Sequence, residues 1–135
     1  MKRDISQETL ENFLREVRPQ VADLSSSWAG WQVATDDGNN ETCGRLRGIA
    51  HRLKGEASII GLSDFSHVAA FLEELLDEVA RYGCNEQRQN VIEDSLVAAT
   101  QYLDDLLDPV REEQDCLSAA VLSYRRYREL PESGD

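Results

Sequence analysis

The run Ala50-His51-Arg52-Leu53-Lys54-Gly55, with Gly61 further on, sets an imidazole, a cation and a side-chain-free position in a helical context. Residues three and four apart share a helix face, so Lys54 and Gly55 lie one turn beyond His51 on its own side. That set suits a histidine that a bulky protein partner must reach and that carries an anion. On a wheel centred on His51, Arg47, Lys54, Gly55, Ser58 and Leu62 fall within about 60° of it. Leu46, Ile49, Ala50, Leu53, Ala57 and Ile60 cluster on the far side, roughly 160° to 260° away. His51 therefore points away from the apolar stripe of its own helix, which argues against a buried structural histidine. Glycine inside a helix costs about 1 kcal/mol relative to alanine, so Gly55 needs a reason. Removing the side chain that would block a partner's approach is one.

The elements that must hold this face read as helices almost throughout. Leu10, Phe13, Val17, Val21, Leu24 and Trp28 step by three and four, laying one apolar stripe along a first helix with Ser6 as its N-cap. Pro19 falls opposite that stripe and predicts a kink without a break. Thr35 to Asn40 is the clearest loop. A second helix is expected from about Glu41 to Gly61. A third follows Ser63 with Phe65, Val68, Leu72, Leu75, Leu76 and Val79 inward, stopping at Gly83. A fourth starts near Glu86 and buries Ile92, Leu96, Ala99, Leu103 and Leu106. Asp108-Pro109 reads as the cap and first residue of a fifth helix with Val110, Leu117, Val121 and Tyr124, packed on the bundle or projecting from it. No strand-like alternation or internal repeat appears. The predicted architecture is all-α, an antiparallel four-helix bundle with an additional C-terminal helix.

Fourteen basic against 26 acidic residues among 135 give a net charge of −12, which argues against nucleic acid or anionic lipid as the main partner. Residues 45 to 54 carry Arg45, Arg47, Arg52 and Lys54 with no acid, so this segment is +4 and the remainder −16. Either four cations are simply solvated, or they form a local field suited to a phosphoryl group. Cys43, Cys84 and Cys116 are dispersed and in no CxxC pattern, and read as reduced thiols. No run approaches the ~20 apolar residues of a membrane span, and no signal-type segment appears, so a soluble cytoplasmic protein is expected. The two tryptophans read as core or helix-end anchors.

His51-Arg52-Leu53-Lys54-Gly55 with Gly61 resembles the signature of histidine phosphotransfer (HPt) domains of two-component signalling. Phe71-Leu72-Glu73-Glu74-Leu75-Leu76-Asp77-Glu78 is similar to the third helix of the N-terminal phosphotransfer domain of CheA-type chemotaxis histidine kinases. In that subfamily a glutamate at the position of Glu73 accepts a hydrogen bond from the phosphorylatable histidine. Phe13, Leu14, Glu16 and Val17, and a fifth helix after the bundle, also look like that subfamily. The resemblance spans most of residues 8 to 128, within a domain expected over 1–130, with 131–135 as a flexible tail or the start of a linker. Two departures stand out: Glu56 replaces the family's usual small residue, and Pro19 is unusual in the first helix. The family's kinase, dimerisation and receptor-coupling domains have no counterpart in these residues. Its nucleotide chemistry does not carry over, and the chain reads either as free-standing or as a domain of a longer kinase.

The resemblance implies that His51 accepts a phosphoryl group at Nε2, that Glu73 orients the ring through Nδ1–H, and that Lys54 offsets the phosphoryl charge. ATP would belong to a histidine kinase catalytic domain acting in cis or in trans. Mg²⁺ would belong to a CheY-like response regulator receiver domain whose aspartate takes the group. No cofactor or metal is expected in this chain, which is expected to be monomeric in isolation. Docking would use the exposed faces of helices two and three, with Arg47, Gly55, Ser58 and Leu62. His67 lies outside the motif and reads as a surface or half-buried histidine; no Glu-x-x-His repeat supports a metal site. The run Glu73 to Glu78 reads as mostly a solvated face, Glu73 excepted. The rivals are a helical adaptor that docks receivers without phosphotransfer, and a structural bundle with an incidental motif.

Overall fold

A computed structural model describes residues 5–33, 39–107 and 117–129. They form five helices, α1 (Gln7–Val33), α2 (Asn39–Ile60), α3 (Ser63–Tyr82), α4 (Glu86–Asp105) and α5 (Ser118–Arg128), and no strand among the described residues. The starts of α1 and α4 follow side-chain capping chemistry. The Ser6 hydroxyl accepts the Thr9 N–H at 3.1 Å, and Asn85 accepts the Arg88 N–H at 2.8 Å, each satisfying an amide the helix itself leaves free. Pro19 sits exposed within the 27 residues of α1, and the helix runs through it, as its place opposite the apolar stripe requires.

α1 packs on α2 and α4, α3 packs on the same two helices, and α5 lies on α4 and α3. Cross-helix pairs run in opposing order: Gln20 meets Glu56 while Asp23 meets Arg45, and Lys54 meets Ser66 while Arg47 meets Asp77. The apolar stripes read from the sequence are buried almost to the residue. Val17, Leu24, Leu46, Leu53, Leu72, Leu75, Ile92 and Leu103 are each no more than 1% exposed. Phe65 ties three helices together, edge-on to Phe13 at 5.9 Å and stacked with Tyr102 at 5.3 Å. Trp28 is buried at the end of the first stripe, and so is Cys43 on α2. Both Cys43 and Cys84 are free thiols. No helix among the described residues is long and apolar enough to cross a membrane.

The α2–α3 turn corrects one expectation. Gly61 adopts φ +90°, its N–H bonding to Ser58 O at 3.2 Å and the Leu62 N–H to Ala57 O at 2.9 Å. This pair of bonds is a Schellman ending, in which the residue after the left-handed glycine folds back against the last turn. Leu62, placed by the helical wheel on the docking surface, is consequently buried at 3% exposure. The wheel fails there because the helix has already ended. The second helix also begins earlier than expected and takes in Asn39 and Asn40. Asp108-Pro109, Val110, Cys116, the loop over 35–38 and the tail over 131–135 lie outside the described residues.

α5 packs on the bundle and does not project. Phe71 and Tyr124 stack with centroids 3.9 Å apart, and the Tyr124 and Tyr127 hydroxyls donate to Glu74 and Glu78 at 2.5 and 2.7 Å. Arg128 bridges the same two carboxylates at 2.7 and 2.6 Å. The nearly buried Arg88 of α4 donates to Tyr127 Oη at 2.9 Å and to Gly83 O at 3.1 Å, so the α3–α4 turn shares in the clamp. Truncating Arg128 to alanine should cost about 1 to 2 kcal/mol. Hydrogen exchange checks this: α5 amides should exchange faster in Arg128→Ala, while those of α2 and α3 keep their protection.

Candidate functional site

α2 presents His51 to solvent because its apolar stripe, Leu46, Ile49, Ala50, Leu53 and Ala57, is turned into the core. The His51 side chain is 65% exposed. Its Nδ1 lies 3.0 Å from Glu73 Oε2 on α3, and no protein partner reaches Nε2 among the described residues. Lys54 Nζ sits 2.8 Å from the other carboxylate oxygen, Glu73 Oε1. One acidic group from α3 thus takes two donors from successive turns of α2. Ser66 ties the two helices beside this site, donating from its hydroxyl to Lys54 O at 3.0 Å.

Burial raises the cost of a charge on Glu73, yet the hydrogen bonds from Lys54 and His51 outweigh it and hold the carboxyl below its ordinary value of 4.5. An ionised carboxylate on Nδ1 selects the tautomer with hydrogen on Nδ1 and the lone pair on Nε2. The accessible nitrogen is therefore the nucleophilic one.

The other predicted positions divide. Gly55 is exposed, and a Cβ built there would meet nothing within 4 Å, so no contact inside the protein demands glycine. Ser58 is exposed on the same face, whereas Leu62 is not part of it. Arg47 is committed to Asp77, which also takes Arg81 Nε at 2.9 Å. Arg45 is likewise committed to Asp23 at 3.1 Å and to Ser27 at 2.6 Å. The +4 segment is thus largely neutralised by flanking helices, and among the described residues Arg52 is the member with no ion pair. Glu56 takes a hydrogen bond from Gln20 of α1 at 3.2 Å. His67 is exposed, and no cluster that could hold a metal occurs among the described residues.

The acidic run of α3 is more than a solvated face. Glu73 and Asp77 pair with α2, while Glu74 and Glu78 pair with α5. Their i, i+4 spacing was the available signal, since it puts two acids on each of two adjacent stripes.

A family model for the Hpt domain matches residues 8–113. The chain belongs to the Hpt domain family. Over 70 residues this Hpt domain is 36% identical to a chemotaxis protein CheA of Halobacterium salinarum, a match covering 52% of the chain and 10% of that much longer relative. No solved structure matches the chain.

Two measurements check the Hpt site. Imidazole ¹⁵N shifts should show His51 as the Nδ1–H tautomer in the neutral protein, with that bias lost in Glu73→Ala. Because folding lowers the Glu73 pKa, its contribution to stability is complete above 4.5 and is lost as pH falls through the lower folded value. Denaturant unfolding should therefore show wild type and Glu73→Gln furthest apart near neutral pH and converging as the pH falls through the folded value, below 4.5.

Proposed function

We propose that this Hpt domain is a phosphohistidine carrier, taking a phosphoryl group from the ATP-bound catalytic domain of a histidine kinase and passing it to a receiver-domain aspartate. The observation that carries the reading is the His51 Nδ1 contact to Glu73 at 3.0 Å on a ring whose other nitrogen faces solvent. In the first transfer the Nε2 lone pair attacks the γ-phosphorus of ATP, an N–P bond forms, and the P–O bond to ADP breaks. The hydrogen on Nδ1 stays in place, so the phosphorylated ring is cationic and lies against the Glu73 carboxylate. In the second transfer a carboxylate oxygen of the receiver attacks phosphorus, the N–P bond breaks, and its electron pair returns to Nε2. Neutral imidazole is regenerated with its original tautomer. Lys54 keeps Glu73 ionised throughout and stands one turn from the phosphoryl group, whose charge it helps to offset.

ATP and Mg²⁺ belong to the partners in this scheme, and the chain supplies an oriented nucleophile and a docking face. An antiparallel four-helix bundle with α5 strapped outside is the architecture we assign to it. The likeness to a CheA protein favours a chemotaxis kinase and a CheY-like receiver over other two-component pairs. We further propose a cytoplasmic, monomeric domain whose kinase acts in cis or in trans.

The test incubates the protein with ATP, Mg²⁺ and a chemotaxis-type kinase catalytic domain, then adds receiver. An acid-labile phosphoryl adduct should form, disappear in His51→Gln, and drain onto the receiver. Receiver binding with no adduct from competent kinases would put the adaptor reading in its place. Gly55→Leu should fold at least as stably as wild type, since helix propensity improves and the space is open. Its transfer to receiver should nevertheless fall at least about tenfold, as expected when an acceptor is held an ångström out of reach.

A further inference from the structure

The outward face of α2 has two unlike sides. Towards α3, Arg47 and Lys54 are committed to Asp77 and Glu73. Towards α1, Arg52 has no ion-pair partner among the described residues, and Ile59 is 85% exposed. No other described large apolar side chain is so exposed; Val97 and Leu122, also exposed, lie on α4 and α5. Arg52 and Ile59 are seven residues apart, within about 20° of one line along α2 and roughly 10 Å apart along its axis. Gly48 and Gly55 flank that line, and a Cβ at either would meet nothing within 4 Å.

We infer that the receiver is recognised by the α1-facing shoulder of α2, with Arg52 meeting the acidic rim of its phosphoacceptor site and Ile59 filling an apolar position beside it. The inference rests on the phosphocarrier reading and adds its specificity determinants. In-line transfer brings the acceptor oxygen within about 3–3.5 Å of phosphorus, so the acceptor protein must cover the turns of α2 next to His51. A face that holds an aspartate acceptor and the carboxylates for Mg²⁺ is anionic. It is repelled by a chain of net charge −12 except where a cation stands free, and Arg52 is such a cation. Isoleucine is a poorer helix former than alanine, leucine or glutamate, so neither folding nor solubility accounts for it at this position. An apolar anchor two turns from the reacting nitrogen, beside a path lined by glycine, gains its stabilisation only when covered.

The experiment separates loading from docking. His51 is phosphorylated with phosphoramidate, a donor too small to need a docking surface, and transfer to a CheY-like receiver domain is followed across receiver concentrations. Wild type, Ile59→Ser, Arg52→Gln and Arg81→Ala are compared, the last removing an exposed cation from α3. All four should load equally. Ile59→Ser should raise the half-saturating receiver concentration about tenfold with the maximal rate within about twofold. Arg52→Gln should raise it about fivefold, an effect that salt erases while the Ile59 effect persists. Arg81→Ala should transfer as wild type does. Loaded Ile59→Ser and Arg52→Gln that keep the wild-type concentration dependence, or an Arg81→Ala equally impaired, would overturn the inference and leave the carrier reading intact. A wild-type protein that takes no phosphoryl group at His51 would remove both.

Discussion

The Glu73 carboxylate has two oxygens and receives two donors from α2, the His51 ring at 3.0 Å and the Lys54 ammonium at 2.8 Å. The two bonds do different work. The first fixes which ring nitrogen is free. The second, by stabilising the anion, makes Glu73 a weaker base and favours keeping the hydrogen on Nδ1. In the proposed transfer, a ring that keeps this hydrogen would leave as neutral imidazole and not as imidazolate, so one carboxylate would serve both attack and release.

That arrangement demands a fixed register between α2 and α3, and the short turn at Gly61 and Leu62 supplies it. Leu62 is anchored in the core, Ser66 reaches back to the α2 backbone, and Phe65 is held between Phe13 and Tyr102. Sliding α3 by one residue would rotate Glu73 by about 100° and break the contact with His51. The packing of Phe65 and Leu62 stands against such a slip, so residues far from the imidazole determine where its partner sits.

Much of this was legible in the sequence because four of the helices are strongly periodic and their inward residues are apolar. His51 could be placed outside its helix's stripe from spacing alone. The approach of Glu73 could not, since the angle between two helices is not written in either; there a family resemblance supplied the pairing. A helical wheel misplaces Leu62 because Gly61 ends the helix before it. The commitments of Arg45, Arg47 and Lys54 were hidden for a related reason. A cation's freedom depends on which carboxylates the neighbouring helices bring up, and only the folded arrangement shows Asp23, Asp77 and Glu73 facing them.

The acids of α3 alternate in pairs between two neighbours, with Glu73 and Asp77 facing α2, and Glu74 and Glu78 facing α5. A helix pinned along two adjacent stripes resists rolling about its own axis in a way that an apolar contact, tolerant of small rotations, does not. α5 therefore acts as a torsional brace. Although it stands apart from the imidazole, it narrows the range of angles over which the Glu73 carboxylate can swing, and with it the direction in which His51 Nε2 is aimed.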